Sequence, residues 1–552
     1  MGETSEIDSL LVIWPDRRYQ TLRNVQADQT VEVSQRDAEG QFDYQIFNQP
    51  NEQPLFTNVT DEIGIDHPHQ ENAFNDFDRE PLMPYKLSTR GPALAVGDVN
   101  GDNLDDYYFG GAKGFSGELF VQEASGEFRR LEIDDFRFDR ASEDVDALFF
   151  DATGDGLNDL YVVSCGNEYT GSSEELIDRL YINQGEGEFR KSINSVPELP
   201  INSSRVVAAD FNGDGHIDLF VGGHSVPWRY GIGPQNILLQ NNGKGVFSNV
   251  ISEAAPDLEV IGNVTTASWV EHPGKNLPDL LVAGEWLNVH YFENQNGELV
   301  DRSDEFGLNN LKGLWQSIHL ADLNGDGFED VVVGNFGTNS RLRASEESPV
   351  KLFVNDFNEN GQTAPIIAYN PDGEERPFEQ LDEILAQVPE VQDTIRSYRD
   401  YANKNLEQLF SAVKLDSALQ KKVNELRSLI LMNEGGNGFS VKPLPFEAQL
   451  FPVMAIHSMD VNSDGNVDLL LGGNLYGVKP SMGGRQDAGY GVVLIGNGEG
   501  EFKTLPLNQS GLFVEGQVRA IKSIQINNNS GYIMVARNDD SPLIFRNQSQ
   551  NN

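Results

Sequence analysis

Five acidic nonapeptides constrain this chain more than any other feature. They read Asp-x-Asn-x-Asp-Gly-x-x-Asp or a close variant, each followed by an apolar run: DVNGDNLDDYYFGG from Asp98, DATGDGLNDLYVVSCG from Asp151, DFNGDGHIDLFVGG from Asp210, DLNGDGFEDVVVGN from Asp322 and DVNSDGNVDLLLGG from Asp460. A single run of this kind is ordinarily a solvated turn, but five in one phase are a repeat. A degenerate sixth copy, EHPGKNLPDLLVAGEW from Glu271, keeps the final Asp279 and the strand. Starts spaced 51 to 61 residues apart from Asp98 to Asp322 suit one four-stranded unit per repeat, as in a propeller.

A second signature follows each acidic loop: an apolar strand ending in Asn or Gly, a Gly-containing turn and a Phe, as in LYINQGEGEF to Phe189, LLQNNGKGVF to Phe247 and VLIGNGEGEF to Phe502. It predicts a hairpin joining the outer two strands of each unit. The last stretch, 518–547, supplies about three strands, and LFTNV at Leu55 to Val59 resembles VFSNV at Val246 to Val250. The front strand is therefore expected to complete the last unit, removing an open sheet edge. The expected fold is all-β: a seven-bladed β-propeller over residues 51–552, a small β module over 1–50, and a helical insertion over 377–430 where the repeat spacing more than doubles. Leu381, Ile384, Leu385 and Val388 form an apolar stripe at helical spacing there, and Pro389 suits the first turn of a second helix. A solenoid is the competing architecture, but it would not need complementary ends.

The loop spacing has a chemical reason. Side chains at positions one, three, five and nine, with the backbone carbonyl of position seven, can gather oxygens around one hard divalent cation, and an all-oxygen shell favours calcium. The expected ligands are Asp98, Asn100, Asp102, Leu104 and Asp106; Asp151, Thr153, Asp155, Leu157 and Asp159; Asp210, Asn212, Asp214, His216 and Asp218; Asp322, Asn324, Asp326, Phe328 and Asp330; and Asp460, Asn462, Asp464, Asn466 and Asp468. That makes about five calcium sites. They are not EF-hands, because position twelve holds Phe109, Val162, Val221, Val333 or Leu471 where an EF-hand has Glu, and a strand follows. In the degenerate copy Lys275 stands at position five, so a tethered ammonium is expected in place of calcium. A run from Asp356 to Gln362 carries Asp356, Asn358 and Asn360 but no acid at position nine, a weak loop.

Composition narrows the partners. Forty Lys and Arg against 86 Asp and Glu give a formal charge of −46, which argues against a nucleic-acid partner. No stretch approaches the roughly 20 apolar residues of a membrane span. The single cysteine, Cys165, excludes an intrachain disulfide and a Cys-based zinc site.

The repeats resemble the FG-GAP or VCBS repeats of integrin α-subunit propellers and their bacterial relatives, from about Pro54 to the C-terminus. The front segment LLVIWPDRRYQTLRNVQADQTVEVSQ, Leu10 to Gln35, resembles the ASPIC/UnbV module, with its Trp-Pro-Asp turn, Thr-Leu strand and Asn-Val-x-Ala-x-Gln-Thr turn. ENAFNDFDREPLMPYKLS, Glu71 to Ser88, and the insertion resemble the large surface-protein branch of this family. The resemblance implies calcium in the loops, an extracellular or outer-membrane-surface setting, and binding rather than catalysis. In that family the module commonly follows a propeller, which implies that this chain can be the second half of a longer exported protein.

Catalysis finds little support in the residues. His67 and His69 flank Pro68 without an acid pattern, and two solvated imidazoles are the simpler reading. Cys165 reads as a small packed residue. Equivalent repeat positions lie on one propeller face, so His224, Trp228, Arg229, Glu285, Trp286, Phe336 and Tyr476 form an expected ligand-binding face for glycan or protein. The alternative for Trp286 and Phe336 is that they fill gaps between blades. The function expected is an exported or cell-surface calcium-binding propeller for adhesion to glycan or protein ligands, not an enzyme. The alternative is a propeller-based polysaccharide lyase or hydrolase.

Overall fold

A computed structural model describes residues 5–44, 53–371, 373–527 and 529–549. The chain divides into two compact units, Met1–Gln53 and Pro54–Asn552. A boundary at residues 50 and 51 lies outside the described residues.

In the first unit Glu6–Ile13 and Tyr19–Gln26 form an antiparallel hairpin, with Leu10 opposite Leu22 and Ile13 opposite Tyr19. The Trp-Pro-Asp turn closes it: Trp14 N–H donates to the Arg18 carbonyl, and Asp16 accepts from the Arg18 guanidinium at 2.8 Å. Phe42 packs edge-on to Tyr19 and is buried.

The second unit is a propeller-like all-β body. Among the described residues, seven antiparallel sheets share one plan, four strands in sequence from an inner to an outer edge. Sheet 1 is Leu94–Gly97, Asp106–Phe109, Glu118–Gln122 and Phe128–Leu131; sheet 2 is Glu143–Phe150, Asp159–Cys165, Arg179–Asn183 and Phe189–Lys191. Sheet 3 is Ser203–Ala209, Asp218–Gly223, Ile237–Asn241 and Phe247–Asn249; sheet 4 is Asn263–Val270, Asp279–Asn288, His290–Gln295 and Glu298–Asp301, with Lys312–Leu314 added beside Asp279–Asn288. Sheet 5 is Ser317–Ala321, Asp330–Gly334, Leu429–Asn433 and Phe439–Pro443; sheet 6 is Val453–Met459, Asp468–Gly473, Val492–Gly496 and Phe502–Leu505. Sheet 7 takes Gln517–Ile526, Asn529–Asn538 and Leu543–Asn547 from the end of the chain and Phe56–Asn58 from its front, with Phe56 opposite Asn547.

The inner strands neighbour one another in sheet order, and that of sheet 7 also neighbours that of sheet 1. Each pair of adjacent sheets encloses its own apolar cluster. Leu94, Tyr107 and Phe109 meet Ile524, Met534 and Ile544 between sheets 1 and 7, while Val162, Tyr181 and Phe189 meet Ala95, Tyr108 and Leu119 between sheets 1 and 2. Each fully buried Leu, Ile or Phe contributes about 1.5–3 kcal/mol, so the sheets are held by the faces they share. Sheets packed only by nearest neighbours need such a cluster at every seam.

The excursion between sheet strands Asp330–Gly334 and Leu429–Asn433 corrects the expected insertion. It is not helical throughout 377–430: it also holds a four-stranded sheet, ordered Arg376–Pro377, Ala364–Tyr369, Val350–Asn355, Leu419–Val423, half of which precedes residue 376. Its helices are short and fall between Leu381 and Asp416, and residues from Leu429 already belong to sheet 5. The apolar stripe is real, with Leu381, Ile384 and Val388 buried. It packs on Phe353, Ile366 and Ala368 of the insertion sheet, which is why periodicity revealed the helix but not its platform. Pro389 starts a 3-10 turn, Pro389–Thr394.

Candidate metal loops and the covered face

Each acidic loop links the first and second strands of its sheet, and its carboxylates do two structural jobs. The position-one Asp caps the turn: Asp210 Oδ1 accepts from Gly213 and Asp214 N–H at 2.7 and 3.1 Å, and its Oδ2 accepts from Gly215 N–H at 2.8 Å. Asp98, Asp151, Asp322 and Asp460 accept from their own loops in the same way. Position five repeats the device one step on, with Asp214 accepting from His216 N–H at 3.0 Å, and Asn212 Nδ2 donates to Asp214 Oδ2 at 3.0 Å. Glycine at position six, φ 86–87° in four of the five loops, and Asn103 in the fifth occupy the left-handed region that this turn requires.

The position-nine carboxylates, Asp106, Asp159, Asp218, Asp330 and Asp468, are wholly buried. Each accepts an N–H from the third strand of its sheet, from Gln122, Asn183, Asn241, Asn433 and Gly496 at 2.7–2.8 Å. Four also accept the position-two N–H of their own loop, from Val99, Ala152, Leu323 and Val461. These residues are latches between loop and sheet, a role that spacing alone did not reveal. Burial raises their carboxyls to about 6 or 7, against the hydrogen bonds they accept, and the like charges at positions five and one add to the rise.

An Asn ends many third strands, as the hairpin signature predicts. It is also a stitch between sheets: Asn183, Asn241 and Asn294 donate to the position-two carbonyls of the preceding loops, Val99, Ala152 and Phe211, at 2.7–2.9 Å. Gln122 reaches the Gln525 carbonyl of sheet 7 at 2.8 Å, and Asn547 reaches Val461 of sheet 6 at 3.1 Å.

Among the described residues no three Asp, Glu, His or Cys side chains stand together as a finished metal shell. The donor set nevertheless fits a hard cation, because positions one, three, five, seven and nine offer only oxygens. Two oxygens at ligand positions are buried without a hydrogen-bond partner, Thr153 Oγ1 at position three of the second loop and Asp218 Oδ2 at position nine of the third. An ion in each of the two loops would satisfy them. At the Asp356 run the carboxylate accepts from Asn360 and Gly361 N–H, but Asn358 Nδ2 is turned to the Gln387 carbonyl and Ala364 takes position nine.

The sixth loop carries its own cation. Lys275 Nζ lies 2.9 Å from Asp279 Oδ2, His272 Nε2 lies 3.1 Å from the same oxygen, and the Tyr291 hydroxyl also donates to it. Burial pushes the Asp279 carboxyl up, but His272, Tyr291, the Asn294 N–H and Lys275 together outweigh it and hold the group at about 2.

The expected ligand face is largely covered by the chain itself. Segment 66–92 crosses the ends of the sheets: Asn72 donates to Glu168 of sheet 2's exit loop, Tyr230 N–H to Glu80, Leu82 N–H to Gln387 of the insertion, and Lys86 N–H to the Gly477 carbonyl beyond sheet 6. Met83, Tyr85 and Leu87 from this strap enclose Trp286 and Phe336 with Leu352 and Leu426 of the insertion. Trp286 and Phe336 are therefore core residues that fill a gap. His224 and Glu285 are buried too: Glu285 Oε2 lies 3.5 Å from His224 Nε2, and its Oε1 lies 3.7 Å from Arg90 and accepts from Gln316 at 3.2 Å. Burial raises the Glu285 carboxyl, but His224 and Arg90 bring it down to about 2. Only Trp228 and Arg229 of the seven are exposed, and Trp228 Nε1 donates to the Asn167 carbonyl with the Arg79 guanidinium over its ring. Tyr476 is half-buried under Arg485. Arg90 and the strap were invisible to a search by repeat position, because neither lies within a repeat.

His67 stacks on Phe120 and Tyr107, and His69 is buried with its Nδ1 accepting from Asp539 N–H, so the pair is packed rather than poised for a metal. Burial lowers both, to about 4 and about 3. Cys165 is buried, and burial pushes its thiol far above the usual range. It is not a nucleophile in this setting.

Among the described residues no helix is long and apolar enough to cross a membrane. A family model for the FG-GAP-like repeat matches residues 151–221 and 274–333, and one for ASPIC and UnbV matches residues 1–40. Among solved structures the chain is similar to the crystal structure of BBS1N in complex with ARL6DN, soaked with mercury, at 11% identity and a TM-score of 0.39, covering 85% of this chain and 95% of that one. It is also similar to the crystal structure of the V. cholerae biofilm matrix protein Bap1, at 9% identity and a TM-score of 0.38, covering 90% and 91%. No curated protein matches the sequence. The matched segments take in three of the five latched acidic loops, those from Asp151, Asp210 and Asp322, and the Trp-Pro-Asp hairpin, and the chain thus carries FG-GAP-like repeats behind an N-terminal ASPIC and UnbV segment.

Proposed function

We propose that the seven sheets are the blades of a closed propeller whose five acidic loops bind calcium, and that the protein works outside the cell as a binding module for glycan or protein rather than as an enzyme. The observation that carries this reading is the repeated loop itself. Five times, three aspartates and an amide or hydroxyl oxygen are held on one turn, and the innermost carboxylate is latched to the sheet. Ionising that cluster without a cation is unfavourable, as the raised position-nine carboxyls indicate. Calcium, when bound, supplies the positive charge and ties positions one to nine of each hairpin.

Closure is supported by the front strand pairing with Leu543–Asn547 and by the Gln122 bond across sheets 1 and 7. Binding rather than turnover is supported by the fate of the candidate catalytic groups, since His67, His69, His224 and Cys165 are packed or paired. The extracellular assignment rests on calcium: affinities of roughly 10⁻⁴ to 10⁻³ M, usual for extracellular modules, fill only where calcium is millimolar.

The test is a panel of neutral and acidic polysaccharides with the chain in millimolar calcium. Saturable capture without product supports the module. Release of shortened or unsaturated sugars would establish the lyase or hydrolase alternative instead, and calorimetric titration showing no calcium uptake would remove the loops' proposed role.

A further inference from the structure

One cavity reverses the charge of the molecule. It has a volume of about 470 Å³, lies between the sheet 4 strands Asp279–Asn288 and Lys312–Leu314 and the insertion strand Leu419–Val423, and is lined by Lys312, Lys351, Lys421 and Lys422. No Asp or Glu is among its lining residues, although the chain has 86 acids to 40 basic residues.

The lysines are crowded by the fold. Lys351 and Lys422 stand directly opposite in the antiparallel pair of Val350–Asn355 with Leu419–Val423, a cross-strand placement of like charges that is destabilising by itself. Lys312 feels Lys422 strongly enough to lower its own proton affinity, burial acting first. Lys421 is more deeply placed: its Nζ donates to Asn263 Oδ1, and burial lowers it to about 8 despite the attraction of Glu285. The acids nearby are already engaged, Glu375 by Lys351, Asp301 by His290 and Glu285 by Arg90 and His224. Lys312, Lys421 and Lys422 form no ion pair among the described residues. The larger cavity at Asp66–Gln70, about 760 Å³, differs in carrying Asp66 and Glu118 on its own lining, with Arg130 paired to Glu118 and Glu132 and Arg137 to Asp134.

We infer that the lysine cavity is a binding site for a compact oxyanion, a sulfate or carboxylate group carried by a small molecule or by the sugar units of an acidic glycan. Repelling ammonium groups in one cavity are stabilised together by one ligand that accepts hydrogen bonds from several of them. A long polyanion would meet the negative remainder of the surface, whereas a single charged sugar would not. The oxyanion site stands on its own geometry, and only its glycan source rests on the binding reading above.

The test is calorimetric titration of the whole chain in millimolar calcium, at constant ionic strength, with sodium sulfate, sodium glucuronate and, as the neutral control, glucose. Saturable binding of sulfate or glucuronate but not glucose is expected, weakened at least about tenfold in Lys312→Gln/Lys422→Gln. A lower Kd for sulfate points to a sulfated ligand, and for glucuronate to a uronate. Lys422→Gln alone changes an exposed side chain and should raise the melting temperature of the ligand-free protein at low salt, because it relieves repulsion. No saturable binding of either anion by the wild type, or equal binding by the wild type and the double variant, overturns the site. If wild type and double variant capture an acidic polysaccharide equally, the cavity is not its site while the binding reading stands. If sulfate binding is lost in the variant but the wild type captures no polysaccharide, the cavity stands and the glycan reading falls.

Discussion

The loops at Asp210 and Glu271 sit on adjacent sheets and share one backbone plan, yet their innermost aspartates behave oppositely. Asp218 is raised to about 7 by burial, with Asp214 and Asp210 adding repulsion, whereas Asp279 is held at about 2 by His272, Tyr291, the Asn294 N–H and Lys275 against the same burial. Both accept the same latch from the third strand, at 2.7 Å from the Asn241 and the Asn294 N–H. What differs is the source of positive charge. The Glu271 loop has a lysine built in, and the Asp210 loop has no Lys or Arg in the place that the proposed calcium would fill. The pair is an internal control within one chain.

The largest effect expected is calcium itself. At ten times its Kd it should stabilise the chain by about 1.4 kcal/mol for each occupied loop, read as a rise in melting temperature that a chelator reverses. The gain should grow with pH. In the metal-free chain Asp106 and Asp218 bind protons up to about pH 7, while the unfolded aspartates lose theirs near 3.8, so stability falls as pH climbs through that window. Calcium binds the ionised form and flattens the fall. Melting curves from pH 5 to 7.5 with and without calcium check the slope, and parallel curves would break the contrast between the two loops.

Asp279→Ala comes next. It leaves His272 and Lys275 around an emptied, buried position and should cost about 3 kcal/mol in urea unfolding, independent of calcium. Lys275→Met should cost less, about 1 kcal/mol after allowance for the lysine's exposure, and should make Asp279 titrate upward as the other latches do. A carbon-detected titration of Asp279 in that variant is the sharper measurement. Asp214→Ala is the smallest in the absence of calcium, where it should leave the melting temperature nearly unchanged; with calcium it should remove one loop's share alone, about 1.4 kcal/mol.

A second contrast concerns the two ends of the strands. The loops between first and second strands are open to solvent, as position-one to position-five residues are exposed or half-buried in every repeat apart from the apolar position two. The opposite ends, where His224 and Phe336 follow their strands and Glu285 and Trp286 lie in the last part of Asp279–Asn288, lie under the strap 66–92 and the insertion. A face inferred from repeat symmetry was thus closed by segments that do not repeat.

Much of this protein is determined by local chemistry and is legible in its residues. The nonapeptides announce the turns because position one must cap N–H groups and position six must enter the left-handed region, and the Asn-Gly-Phe runs announce the outer hairpins. The similarity of Leu55–Val59 to Val246–Val250 foretold the front strand on the last sheet. Tertiary structure decided the rest, because it turns on which distant groups meet. Only there does Asp218 become a buried latch, Asn241 a stitch to the neighbouring sheet and Trp286 a core residue beneath Tyr85. The four lysines were unremarked in the sequence for the same reason: Lys312, Lys351 and Lys421–Lys422 are far apart along the chain, Lys351 and Lys422 meet only once the insertion sheet forms, and Lys312 joins them only once that sheet is laid against sheet 4.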